Sequence, residues 1–286
     1  MIERLAMTSD YMTSRGDPEP YLRRIAEAGF RSIHWCHEWN TDYVYGRTEV
    51  LRLRRLLRGL KLQLNDLHGS AGVLRAWGST VWCQRSAGID LVRNRVAMTR
   101  RLGSDVVVMH LPPGPKAHDT MKSWWRRLRH TLDELRPYAR RHRVRLAIEN
   151  SHDDNMDRIE RLFADYGSDY LGLCYDSGHG SVAGNGLDRL EKVKDRLIAL
   201  HLHDNDGKED KHWLPFAGTT DWPRLAHIIA TSGYTKVAMT MEPNTSNWPI
   251  ESEAEYLRDA VDAGKRFAAM VTSVRQRRTA KSAKTR

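Results

Sequence analysis

Seven apolar runs of this chain end in residues that can hold a proton or a metal ion. The second run is followed by His37-Glu38, the third by His68 and the fourth by His110. The fifth is followed by Glu149-Asn150, and the sixth by Asp176 with His179 just beyond. The seventh ends in His201, with His203 and Asp204 after it, and the eighth in Glu242-Pro243-Asn244. A lone histidine at such a boundary is usually a hydrogen-bonded structural residue, and a lone acid is often the N-cap of the next helix. The joint pattern is harder to explain that way. Gathering so many carboxylates and imidazoles without compensation would cost several kcal/mol per buried charge. A divalent cation removes that cost: Glu149, Asp176 and Glu242 with a neutral His201 around one dication leave a net charge near −1. Ligation rich in oxygen with one nitrogen suits Mn²⁺, Mg²⁺, Co²⁺ or Zn²⁺.

For such residues to meet, the runs must be strands whose C-terminal ends converge. The β-branched runs begin near Ile2 and recur at Arg31–Cys36, Leu62–Leu67, Asp105–Met109, Val144–Ile148, Tyr170–Tyr175, Leu197–Leu202 and Lys236–Met241. Amphipathic stretches predict helices over Tyr21–Ala28, Leu91–Leu102, Met121–Arg141, Met156–Tyr166, Leu187–Asp195, Pro223–Thr231 and Glu251–Val271. Strands alternating with helices imply parallel βαβ units. At 286 residues the economical arrangement is a single α/β domain, a (β/α)₈ TIM barrel with parallel strands, whose strand C-termini share one rim. An open doubly wound sheet is the alternative, but neither GxGxxG after the first strand nor GxxxxGK[ST] occurs. The barrel is expected over 1–272, and 273–286 are expected to be a basic, disordered tail.

The bulk composition is that of a soluble protein, with 40 % hydrophobic and 29 % charged residues. No membrane span and no signal peptide is expected, so the cytoplasm is the expected compartment. Cys36, Cys83 and Cys174 form no CxxC pair, which fits reduced thiols rather than a disulfide framework or a cysteine zinc site. The formal charge is +10, but Arg275 to Arg286 hold six basic residues and no acid. Subtracting those six leaves +4 for the body, which argues against nucleic acid as the partner without excluding it. Aromatic residues near the strand ends, Trp35, Trp39, Trp213 and Trp248, could stack on the apolar face of a ligand or anchor loops.

At these positions the sequence resembles the xylose-isomerase-like TIM-barrel superfamily. That superfamily includes the sugar phosphate isomerase/epimerase family, inosose and dehydroshikimate dehydratases, and the endonuclease IV-type abasic-site enzymes. Leu146-Ala147-Ile148-Glu149-Asn150 resembles the fifth-strand "IEN", and Tyr175-Asp176-Ser177-Gly178-His179 the "D-x-x-H". His201-Leu202-His203-Asp204-Asn205-Asp206-Gly207 resembles "HLxDN(D)", and Met241-Glu242-Pro243 carries the last-strand Glu. The segment Asp210-Lys211-His212, with Pro215, Gly218, Asp221 and Trp222, resembles a motif of the sugar-isomerase branch, except that Phe216 stands where a glycine is usual. A bulky residue there is expected to keep that loop away from a ligand, against a standard sugar-phosphate substrate.

The resemblance implies that Glu149, Asp176, His201 and Glu242 hold the common metal and that Glu149 and Glu242 are the catalytic pair. It implies a divalent-metal-dependent isomerase or epimerase acting on a sugar or polyol, through proton transfer and an enediolate that the ion stabilises. A related dehydratase or lyase would use the same groups. His68, His110, His179, Asp210 and His212 match the five further ligands of the endonuclease IV-type three-metal cluster, so three ions and phosphodiester cleavage at abasic DNA form the alternative. One ion is the favoured count, with those residues and His203 then serving the substrate or supporting the ligands. His37, Glu38, Trp35, Trp213 and Trp248 are further substrate-binding candidates. Barrels of this kind often assemble as homo-oligomers.

Overall fold

Eight apolar runs fold as short parallel strands: β1 Arg4–Thr8, β2 Ser32–Trp35, β3 Gln63–His68, β4 Val106–His110, β5 Arg145–Glu149, β6 Leu171–Asp176, β7 Leu197–His201 and β8 Ala238–Met241. The computed structural model describes residues 4–115, 118–152, 155–234, 238–248 and 250–284. The expected start of the last strand at Lys236, and that of the first at Ile2, lie outside the described residues. The strand order is β7-β6-β5-β4-β3-β2-β1-β8, each neighbour parallel. A single parallel bridge, Leu202 to Met241, joins the two ends of that sheet. The result is the expected TIM barrel, nearly closed by hydrogen bonds.

Helices cover the outside: α1 Glu19–Ala28, α2 Arg47–Gly59, α3 Trp82–Leu102, α4 Met121–His142, α5 Met156–Asp165, α6 Ser177–Val182, α7 Gly186–Val193, α8 Trp222–Thr231 and α9 Glu253–Lys284. Two of them, α2 and α6, are absent from the sequence reading. The apolar side of α2 is only Val50, Leu53 and Leu57 among many arginines. The helix α6 is short and begins where the Asp176 side chain accepts a hydrogen bond from His179 N. The last helix corrects a further expectation. Residues 273–284 are not a structureless tail but continue α9. Val274 packs on the core, Arg275 donates to Tyr234 O (3.2 Å), and Arg278 donates to Ala230 O (3.4 Å).

Residues two apart on a strand share a face, and this parity builds the rim. Val106, Val108, Ala147, Cys174, Ile198 and Ala199 form a small apolar plug inside the barrel. At a spacing of two, Val108 leads to His110, Ala147 to Glu149, Cys174 to Asp176 and Ala199 to His201. The inner rows of these four strands are thus apolar at the base and ionisable at the mouth. The outer rows pack against the helices in the main core.

Candidate metal centre

One donor atom from each of Glu149, Asp176, His201 and Glu242 lies within 4.8 Å of all the others. The four come from β5, β6, β7 and the residue after β8, adjacent positions around the ring. His201 Nδ1 sits 2.9 Å from Glu242 Oε2, 3.3 Å from Glu149 Oε2 and 4.0 Å from Asp176 Oδ2. Local hydrogen bonds hold the backbone beneath two of these side chains. Asn155 Nδ2 donates to Glu149 O (3.0 Å). Asn150 Oδ1 accepts from Asp176 N (2.8 Å), and its Nδ2 donates to Asp176 O (3.0 Å). Asp176 has two duties: Oδ1 caps α6, and Oδ2 is 2.9 Å from His203 Nε2. The side chain is thus an N-cap, as is common for an acid at a strand end, and also stands within the cluster of candidate donors.

The five further candidates gather around these four. His68 Nε2 and His110 Nε2 lie 3.8 and 3.2 Å from Glu149 Oε2. His179 Nδ1 is 3.3 Å from Glu149 Oε1, and its Nε2 is 3.1 Å from Asp210 Oδ2. His212 Nε2 is 3.3 Å from that same Asp210 oxygen, and the His203 and His212 rings stack at 3.9 Å. Two more groups with mutually close donors result: His68, His110 and Glu149, and His179, His203, Asp210 and His212. Gly178 is required by this packing, since a Cβ there would fall inside the His203 imidazole.

The electrostatics reflect a cluster of opposite charges withheld from water. Burial alone would raise Glu149, but His110 and His201 beside it hold its carboxyl well below the usual range. Asp176 is likewise driven up by burial yet drawn down to about 2 by His179 and His203. Burial opposes the charged form of His212, but Asp210 outweighs it and lifts the imidazole to about 9. His68 goes the other way, pushed well below its ordinary value by burial and by His110.

Several buried polar atoms at the barrel mouth lack a hydrogen bond. Among the described residues these include Glu149 Oε2, both ring nitrogens of His201, His203 Nδ1 and Asp210 Oδ1. Buried polar atoms are ordinarily satisfied, so a concentration of orphans on candidate ligands fits an ion held there. A cavity of about 190 Å³ opens onto the group, lined by Asp10, Cys36, Trp39, His68, His110, Glu149, His179, Asp210, His212, Glu242 and Asn244.

Several substrate candidates lie elsewhere. Trp35 has the outward parity of β2, and with His37 and Glu38 it lines a separate cavity of about 390 Å³ against α2. The inward residues of that segment are His34 and Cys36, which the sequence reading passed over. Trp213 and Trp248 pack on each other at 6.2 Å, and Trp213 Nε1 donates to Asn247 O (3.0 Å); neither lines the metal-side cavity. Trp39 does, with its ring 4.7 Å from that of His68. Asp10 was also missed, although Ala6, Thr8 and Asp10 follow the same parity from β1. Phe216 does not act as expected. It takes the left-handed conformation a glycine would (φ 73°), and its ring turns onto Trp222 (5.0 Å) beneath the Arg266 guanidinium.

A family model for the xylose isomerase-like TIM barrel matches residues 22–266. The chain belongs to that family. The uncharacterized protein y4fM of Sinorhizobium fredii is 31 % identical over 285 residues, covering 90 % of either chain. Among solved structures, a D-tagatose 3-epimerase-like protein superposes with a TM-score of 0.78 at 20 % identity, over 96 % of this chain and 99 % of that one. An L-ribulose 3-epimerase gives 0.77 at 17 % identity, over 98 % of each. At these identities the likeness is one of fold. Among the described residues no helix is long and apolar enough to cross a membrane.

Proposed function

We propose that this protein is a divalent-metal-dependent sugar or polyol isomerase or epimerase, with Glu149 and Glu242 as its proton-transferring pair. The observation that carries this reading is the convergence of both glutamates on one imidazole nitrogen at the floor of a small polar cavity. Glu149, Asp176, His201 and Glu242 would hold the ion. When bound, the ion supplies Lewis-acid polarisation of a carbonyl or vicinal hydroxyl. Glu149 takes the proton from the carbon next to the carbonyl, and Glu242, reaching the substrate from a strand three positions away, delivers one. Return to the same carbon inverts it; return to the neighbour moves the carbonyl; expulsion of a β-substituent gives the lyase outcome. Each such step contributes on the order of 10²–10⁴-fold. Trp39 covers the His68 side and gives the sugar an apolar wall.

The names of the structural neighbours guide the choice of substrate. Ketoses related to tagatose and ribulose should be incubated in D₂O with the metal-loaded protein, and deuterium incorporation followed by NMR. We expect exchange in the wild type and its loss, by at least about 100-fold, in Glu149→Gln and Glu242→Gln. Exchange surviving in both variants would defeat the assignment.

A second reading is supported by the two flanking donor groups. With ions at His68/His110 and at His179/Asp210/His212 as well, the site would suit phosphodiester cleavage at abasic DNA. Three bound ions together with nicking of an abasic-site duplex would favour it. One ion and no nicking would favour the sugar.

A further inference from the structure

Glu242 turns its two oxygens toward different partners. Oε2 faces His201, whereas Oε1 lies 3.6 Å from His34 Nε2 and 4.0 Å from Cys36 Sγ. His34, Cys36 and Glu242 thereby offer a nitrogen, a sulfur and an oxygen within 4.8 Å of one another, all buried. His34 is held in an unusual way. Its Nδ1 is 2.5 Å from Asp66 Oδ1, while its Nε2, completely buried, has no hydrogen-bond partner. The cause is local: β3 carries one extra residue between the pairs Ile33–Leu64 and His34–Asp66, and this shift sets Asp66 beside His34. A carboxylate on one ring nitrogen places the proton there and leaves the lone pair of the other free. That is how metal-ligating imidazoles are oriented. Cys36 is fixed too, because its backbone N–H donates to Ser9 Oγ (2.8 Å).

We propose that His34, Cys36 and Glu242 form a second metal site, thiolate-bearing and suited to Zn²⁺ or Co²⁺ rather than Mg²⁺, with Glu242 bridging it to the first. The choice of ion follows from the sulfur and nitrogen donors. On binding, Sγ forms a bond to the ion and its proton passes to solvent; no electron is transferred. Cys36 and Glu242 both line the metal-side cavity, so the remaining coordination positions face the space where substrate would lie. The bridging role rests on the reading of the first site; the three donors themselves do not depend on it.

The test is a titration of the full-length, metal-free protein with Co²⁺, reading the sulfur-to-cobalt charge-transfer absorption in the near ultraviolet and counting bound cobalt. The wild type should develop the band, and Cys36→Ser should lose it together with about one equivalent of cobalt. Cys174→Ser is the internal control: Cys174 is near Glu149 and His201 but does not line the cavity, so this variant should keep the band. Glu149→Gln should weaken the first site and also keep the band, which separates failure of the two sites. A wild type without the band overturns the proposal whatever the variants do. So does a band that survives Cys36→Ser or disappears only in Cys174→Ser.

Discussion

His203 and Gly178 stand directly behind the candidate donor Asp176. His203 Nε2 holds Asp176 Oδ2 at 2.9 Å, and Gly178 leaves room for that imidazole. Gly178→Ala should therefore displace His203, free one oxygen of Asp176 and weaken ion binding by roughly 10-fold or more, with the barrel intact. Calorimetric titration with Mn²⁺ or Co²⁺ measures this, and unchanged affinity would remove His203 from the support of the site. His37 makes a different prediction. Burial lowers its imidazole to about 4, against weaker opposing pulls from Glu38 and Asp17. A histidine whose folded value lies below its ordinary 6.5 takes up a proton more readily when unfolded. Its contribution is therefore complete above pH 6.5 and is lost as pH falls through 4, amounting to roughly 3 kcal/mol. His37→Gln should flatten the acid limb of the stability curve between those values. An unchanged slope in denaturant melts would contradict it.

Elements were legible where periodicity survived and illegible where charge masked it. All eight strands could be read from short apolar runs, although Leu62–Leu67 and Tyr170–Tyr175 hold no Val, Ile or Thr, because strands buried on both faces need chiefly apolar residues. That Glu149, Asp176, His201 and Glu242 meet could be read because parallel strands present their ends on one rim. The parity within β2 was the harder matter. His37 and Glu38 follow the run and look like the site, but alternation sends Trp35 and His37 outward and His34 and Cys36 inward. Asp10 escaped because it stands two residues past the end of β1 with no motif around it. The basic end of α9 escaped because six cations dominate it, although Val274 three residues after Val271 was the available sign of an apolar stripe. Truncation should separate the two parts of that segment. Removing residues from 277 onward should leave the melting temperature within a degree or two, since Arg277, Arg278, Thr279 and Ala280 are exposed. Removing residues from 273 onward should cost on the order of 1–2 kcal/mol through Val274 and Arg275. Melting temperatures equal to that of the full chain for both truncations would show that α9 contributes nothing past Thr272.

At the scale of the molecule, the barrel is a device for bringing distant sequence together. Residues from Asp10 to Asn244 line one cavity of about 190 Å³. The apolar plug of Val106, Val108, Ala147, Cys174, Ile198 and Ala199 closes the floor beneath it. Shared family membership and the likeness in fold to two solved barrels fit that arrangement, and Trp39 and Asn244 line the cavity beyond the strand ends. A bound dication would reconcile the buried like charges at the barrel mouth. The most direct test is elemental analysis of the purified protein after dialysis against Mn²⁺, Co²⁺ and Zn²⁺ in turn, alongside Glu149→Gln. The account predicts at least one dication retained per chain by the wild type and reduced occupancy in the variant. A wild type that binds none of the three ions, with its fold unperturbed, would contradict it.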